Sequence, residues 1–173
     1  FSGTVHGLFG ELFNKGKFNE IKSLYSKLKL NFQDHFYIEI QRHEDSNEKE
    51  FEKFNLSLSQ ELGIPIIATN EVFYLNKDMH EAHDALICIK NKTYINEKNR
   101  LKFTDQHYFK SNNEMAELFT DIPEALENNY NFPLRCSFRP FSSNPILPNI
   151  SSEKDGNADQ ILMKNSFDGL SKK

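Results

Sequence analysis

The chain has 173 residues, 38% of them hydrophobic and 27% charged, with sixteen Phe, no Trp and a net charge of −4. That is long enough for one domain with a real core, ordinary enough to be globular, and too acidic for the broad basic face that phosphate binding requires. Cys88 and Cys136 stand apart without CxxC spacing, no apolar run reaches a membrane span, and the first residues lack a basic, apolar leader. A zinc knuckle, a disulfide framework, export and a membrane anchor are therefore not expected, and a reducing, cytoplasmic setting is.

Phe1 to Val5 reads as the end of a strand, after which Leu8, Phe9, Leu12 and Phe13 take helical spacing that Lys15-Gly16 ends. A second helix is predicted from about Asn19, because Ile21, Leu24, Tyr25 and Leu28 recur at i, i+3, i+4 and i+7 with most charges opposite. Asn31 to Asp34 reads as its loop. Phe36 to Gln41 alternates, with Phe36, Ile38 and Ile40 on one face and Tyr37, Glu39, Gln41 and His43 on the other. This is a strand with a polar face.

A polar turn from Glu44 to Asn47 precedes a long helix lined by Phe51, Phe54, Leu58 and Leu62 and closed by Gly63. The next run, from Ile64 to Ala68 and broken only by Pro65, reads as a strand covered on both faces. Thr69-Asn70-Glu71 place polar groups at its C-terminal end, where parallel sheets and barrels build sites. Strand, helix and strand with short connections predict an α/β fold.

A helix is predicted from Asp78 to Ile89. Ser111-Asn112-Asn113-Glu114 is a capping-box pattern, and Asp121-Ile122-Pro123-Glu124 opens another helix that Pro133 should kink or shorten. From Pro140 to Gly156 the prolines, serines and glycine mark a connector, and Ile161, Leu162, Phe167 and Leu170 begin a further helix. With no initiator Met, and with Ser171-Lys172-Lys173 falling inside a helical pattern, the chain is expected to be a piece of a longer protein.

Some residues that invite a chemical reading do not sustain one. His80-Glu81-Ala82-His83 has its histidines at i and i+3, whereas the zinc-protease helix needs i and i+4. Lys90, Lys92, Lys98, Arg100 and Lys102, interleaved with Tyr94 and Phe103, could touch a nucleic-acid backbone, but Glu97 and Asp105 flank them and a solvated loop is the simpler account. His6, His35 and His107 have no partner that the sequence identifies, and surface or hydrogen-bonded imidazoles are expected.

Several segments, in order, resemble the polymerase-and-histidinol-phosphatase (PHP) domain at the front of bacterial DNA polymerase III alpha subunits. They are Phe36 to His43, Ile66 to Tyr74, His83 to Ile89, Tyr108-Phe109-Lys110-Ser111, Glu114-Met115, Phe119, Arg135-Cys136 and, most specifically, Asp121 to Asn128. Pro145-Ile146-Leu147-Pro148 and the Leu162 to Leu170 helix are similar to that domain's exit into the polymerase body. The resemblance implies the later part of a distorted (β/α)7 barrel with a mostly helical C-terminal extension. Residues 1–140 would be the C-terminal part of the PHP domain, 141–156 a linker and 157–173 the start of the polymerase body. It further implies a parent that synthesises DNA with Mg ions held by carboxylates absent here. Its partners would be the remainder of the alpha subunit, a proofreading exonuclease subunit, and DNA through the parent.

In this family the barrel holds several divalent metals at strand ends and uses them to hydrolyse phosphoesters. The position of a ligating Cys resembles Thr4, and an Asn-Asp-x-His ligand run resembles Asn70-Glu71-Val72-Phe73. A phenyl ring cannot ligate a metal, and a neutral hydroxyl replaces a thiolate poorly. No metal is therefore expected at Thr4, Glu71 and Phe73, and no catalytic residue or cofactor in this piece, which reads as a degenerate scaffold. Glu39, His43, Asn70 and Glu71 remain as a polar barrel site that a hydrogen-bonded network explains. Two other readings stand: a free-standing metal-dependent PHP phosphoesterase, which predicts intact ligands, and a noncatalytic PHP-like interaction module. Without the early strands, open sheet edges and a tendency to associate are expected.

Overall fold

A computed structural model describes residues 1–146 and 157–172, which divide into two units, 1–137 and 138–173. In the first, a parallel sheet of β1 (Ile38–Ile40) and β2 (Ile66–Ala68) pairs Ile38 with Ile66, Glu39 with Ile67 and Ile40 with Ala68. Around it lie α1 (Leu8–Asn14), α2 (Phe18–Phe32), α3 (Glu48–Leu62), α4 (His80–Asn91), α5 (Asn112–Leu118) and α6 (Pro123–Leu134). The β1–α3–β2 order is the predicted α/β crossover. A closed barrel is not seen among the described residues: the two strands are three residues long, and beyond them only an isolated bridge joins Tyr74 to Tyr108.

The apolar stripes fold as their spacing requires. Ile21 and Tyr25 of α2 are fully buried, and the Tyr25 ring meets Phe9 of α1 edge-on at 4.6 Å. Phe36, Ile38 and Ile40 face this same core together with Ile64, Phe51, Leu58 and Phe119. One polar contact crosses it, the Tyr25 hydroxyl donating to Asn55 Oδ1 at 3.0 Å. Burial pushes the Tyr25 phenol upward, so it remains a donor at any physiological pH. Gly63 closes α3 with φ 62°, the left-handed conformation that glycine adopts without a Cβ penalty.

Three local expectations need correction. Phe1 to Val5 does not finish a strand, because Gly3 turns the chain at φ 84°. Instead Ser2 N–H donates to Tyr37 O (3.0 Å), Glu39 N–H donates to Ser2 Oγ (2.9 Å), and Gly3 N–H donates to the Glu39 carboxylate (3.1 Å). Asn31 and Phe32 belong to α2, which ends only where Gln33 takes φ 49°. Tyr37, placed on the polar face, is buried: Phe1 and Phe132 both pack edge-on against it, and Arg135 donates to its hydroxyl at 2.6 Å.

The expected open edges are also covered among the described residues. The Ser2–Glu39 contacts line the outer side of β1. On the far side of β2, the Asn128 and Asn129 amides of α6 donate to Ile66 O at 2.7 Å and to Ala68 O at 2.6 Å. Side-chain amides thus stand where a neighbouring strand would otherwise pair.

The predicted caps are present. At α5, Ser111 Oγ accepts from Glu114 N–H (3.3 Å) while the Glu114 carboxylate accepts from Ser111 N–H (2.7 Å). Ser111→Ala should cost about 1 kcal/mol, read as a lowered midpoint in urea unfolding, since an orphan amide of the first turn loses its acceptor. Pro123 opens α6, and Pro133 lies one residue from its end at Leu134, which fits the expected shortening.

In the second unit α7 (Ala158–Leu170) begins with Asn157 and Gln160 in reciprocal contact, at 2.9 and 3.2 Å. The helix predicted there is present. Residues 147–156, which carry most of the proposed linker and half of the Pro145 to Pro148 segment, lie outside the described residues.

Candidate functional site

The two strands deliver their polar residues to one place. β1 runs out into Gln41, Arg42 and His43, and β2 into Thr69, Asn70 and Glu71. The turn after β1 is held by Glu48 at the start of α3, whose carboxylate accepts the N–H groups of His43 (2.8 and 3.0 Å) and Glu44 (2.8 Å). Glu44 and Asn47 both sit at positive φ, 62° and 63°, which folds the turn back so that Asp45 lies beside the strand end. A later segment is laid across the same place. Phe73 N–H donates to His107 O (2.9 Å), Phe109 N–H to Tyr74 O (3.0 Å), Tyr74 hydroxyl to Thr104 O (2.7 Å), and Thr104 hydroxyl to His43 O.

The four residues of the predicted polar site form two neighbouring networks. Glu39 is satisfied by Gly3 N–H, by the Thr69 hydroxyl at 2.5 Å and by the Gln41 amide at 3.3 Å. His43 and Asn70 meet directly, Nε2 to Oδ1 at 3.0 Å, and the Glu71 N–H points at the same Nε2 from 3.2 Å. Asn70 in turn donates to Tyr108 O at 2.9 Å and accepts from Lys110 Nζ at 3.3 Å. Burial pushes the Lys110 ammonium below the usual lysine range. The Glu71 carboxylate is exposed on one side and stands 4.0 Å from His107 Nδ1.

The positions matching family ligands do other work. Thr4 Oγ1 accepts the His6 N–H at 3.3 Å, a turn contact. Phe73 stacks on His83 with ring centroids 5.3 Å apart and packs against Phe103 and His107 at 4.5 and 4.9 Å. His80 Nε2 is bonded to Phe103 O at 2.9 Å, so it is not free to act as the zinc-protease pattern would need, while His83 packs its ring against Phe73.

Two residues at this site gave no signal in the sequence. His107 is buried and lies in a parallel stack on His43, ring centroids 4.1 Å apart and planes within 1°. Asp45 Oδ2 is 3.6 Å from His107 Nε2 and 3.2 Å from His6 Nε2. Burial works to raise the Asp45 carboxyl, but the His107 and His6 imidazoles outweigh it and hold the group below its ordinary range. A cleft of about 600 Å³, lined by Arg42, Asp45, Glu48, Glu52, Gln106 and Asp121 among others, opens beside this cluster. Arg42 braces its wall, donating to Glu52 (2.5 and 3.0 Å) and to Asp121 (2.7 and 2.8 Å). Arg100, in the basic stretch, is engaged with Asp84 and with Ile95 O at 3.1 and 3.2 Å.

These carboxylates set the response to acid. The hydrogen bond from Arg42 lowers Asp121, that from Arg100 lowers Asp84, that from Lys77 lowers Asp105, and the Ser111 cap takes Glu114 from 4.5 to about 2. Folded values below unfolded ones mean that the stabilisation is whole above the unfolded pKa and fades as pH falls through the folded one. The thermal midpoint should hold steady above pH 4.5 and fall toward pH 2, measured by circular dichroism.

The architecture is that of an α/β scaffold with a polar cluster where its strands end. No protein-family model matches the chain. It is 36% identical over 166 residues to the DNA polymerase III subunit alpha of Rickettsia bellii, covering 96% of this chain and 14% of that protein. Identity to the same subunit is 32% over 169 residues in Caulobacter vibrioides and 34% over 170 in Pasteurella multocida, each covering 98% of this chain and 15% of the relative. The chain spans about one seventh of the length of these relatives. Identity of this order across nearly the whole chain supports a fragment of a DNA polymerase III alpha subunit. Among the described residues no helix is long and apolar enough to cross a membrane.

Proposed function

We propose that the chain is the later part of a degenerate PHP domain, serving as scaffold in a cytoplasmic replicative polymerase that extends primers on a DNA template. Catalysis would belong to Mg ions and carboxylates elsewhere in the parent. The piece would support the remainder of the alpha subunit and present a face to a proofreading exonuclease subunit, with DNA reached through the parent. The observation that carries this reading is Phe73. A ligand position of the family here bears a phenyl ring packed among His83, Phe103 and His107, which is an architectural use of the position. Thr4 in a turn and Glu39 in a closed network support the same reading.

The purified chain, incubated with Mn or Zn and a chromogenic phosphodiester, should give no turnover above the metal blank. Metal-dependent hydrolysis that Glu71→Ala abolishes would overturn the scaffold reading in favour of a phosphoesterase.

A further inference from the structure

We propose that His43, Asp45 and His107 form a binding site for a zinc-class transition-metal ion beside the end of β1, built from a set of residues other than Thr4, Glu71 and Phe73. One donor atom from each of the three lies within 4.8 Å of the others. Adjacent ligands around a tetrahedral ion with bonds of about 2.0–2.1 Å stand roughly 3.3 Å apart, so the 3.6 Å between Asp45 Oδ2 and His107 Nε2 needs little closure.

The hydrogen bonds fix what each ring offers. His107 Nδ1 faces the Glu71 carbonyl at 3.3 Å. A carbonyl only accepts, so in the neutral ring the proton sits on Nδ1 and Nε2 turns its lone pair toward the Asp45 carboxylate. Two electron-rich atoms facing each other in a buried place call for a positive charge between them, either a second proton on the ring or a metal ion. An Nδ1–H held by a backbone carbonyl is also the usual way a ligating imidazole is oriented. On His43, Nε2 lies 3.0 Å from Asn70 Oδ1, which only accepts, so in the neutral ring Nε2 carries the proton and Nδ1 keeps its lone pair, 3.7 Å from Glu48 Oε1. His43 Nδ1 and His107 Nε2 are both fully buried with no hydrogen-bond partner, in side chains 1% exposed. Native proteins rarely leave such atoms unpaired, and a bound ion is one of the standard reasons when they do.

The donor chemistry selects the metal. Two imidazoles and a carboxylate suit Zn, Cu, Ni or Fe, whereas Mg prefers oxygen ligands and keeps its waters. The cleft that reaches Asp45 gives an entry path. His6, 58% exposed with Nε2 3.2 Å from Asp45 Oδ2, stands where it can swing in as a fourth ligand. The parallel stack of His43 on His107 supplies a readout. Lone pairs lie in ring planes, and two parallel planes cannot share one ion, so loading must turn one ring and break the stack.

The test uses the whole chain, stripped with a chelator, then titrated with Zn by calorimetry and with Co by absorption, alongside long-range 1H–15N spectra of the imidazoles. One equivalent of Zn should bind, with a tetrahedral Co band, no competition from Mg, and 15N shifts at both rings that mark ligation and loss of the stack. Asp45→Asn and His107→Gln should each weaken binding by more than about 100-fold, beyond the range seen when only an outer-shell partner is removed. Asp45 lies on a turn, so its variant serves if His107→Gln does not fold. Glu71→Ala should bind as the parent does. No stoichiometric binding, with His107 Nε2 protonated in the spectra, would overturn the site in favour of a simple imidazolium–carboxylate pair. Binding unaffected by Asp45→Asn, or lost in Glu71→Ala, would place the ion elsewhere and overturn it equally.

Discussion

Alanine in place of Phe119 should lower the unfolding free energy by about 3–5 kcal/mol, as expected for a fully buried ring whose surroundings cannot collapse around the space it leaves. Phe119 follows α5 directly and is fully enclosed in the core shared by β1, β2 and α6. The Arg42 guanidinium lies over its ring, 4.8 Å from the centroid, while donating to Leu118 O at 2.5 Å. Losing the ring therefore also removes the platform of the cation that ties the strand end to α3 and to Asp121, a contact worth about 0.5–2 kcal/mol by itself. The urea midpoint should fall with an unchanged slope, and Phe119→Leu, which keeps most of the volume, should lose far less. A drop as small as that of a surface substitution would show that the first unit does not pack around this ring.

Gly10→Ala should be nearly as damaging, at about 3 kcal/mol, for a reason unrelated to backbone freedom. Gly10 sits inside α1, and a Cβ there would lie 2.0 Å from Val5 O and 2.3 Å from Val5 C. Both are backbone atoms, which cannot rotate aside as a side chain can. The helix would have to lift from the turn that precedes it, pulling Phe9 off Tyr25. Loss of the near-ultraviolet signal from these rings should accompany the fall in thermal midpoint, and an alanine variant with unchanged stability would refute the close approach.

Helices were readable in the sequence wherever burial follows one periodic face. Ile21 and Tyr25, Phe51 and Leu58, the Gly63 cap and the Ser111–Glu114 pair all lie where spacing and capping chemistry put them. Periodicity says which face turns inward, and it is silent about what arrives from far along the chain. Tyr37 alternates as a polar-face residue yet is buried because Phe1 and Phe132 come to cover it. The short strands were legible as apolar runs, but the Phe1 to Val5 segment was not, since there one backbone bond is joined by the Glu39 and Ser2 side chains in place of a full ladder.

The site divides in the same way. His43 and Asn70 could be singled out because each ends a strand on its polar side. His107 sits in an irregular segment with no pattern to mark it, and Asp45 is one acid in a short polar turn. Only the Glu48 anchor and the laid-over 103–109 segment bring them together. Phe73 reads in sequence as a lost metal donor; its packing against three aromatic rings is a tertiary fact.

The paired amides of α6 carry a further consequence, one of time. Asparagine side chains hydrolyse slowly to aspartate, and at Asn128 or Asn129 that change would set a negative oxygen against the carbonyl of Ile66 or Ala68 where a donor had been. Chemical ageing at either residue would turn a lock on the sheet into a wedge, so the working life of the folded chain depends partly on how well one helix protects two amide groups from water.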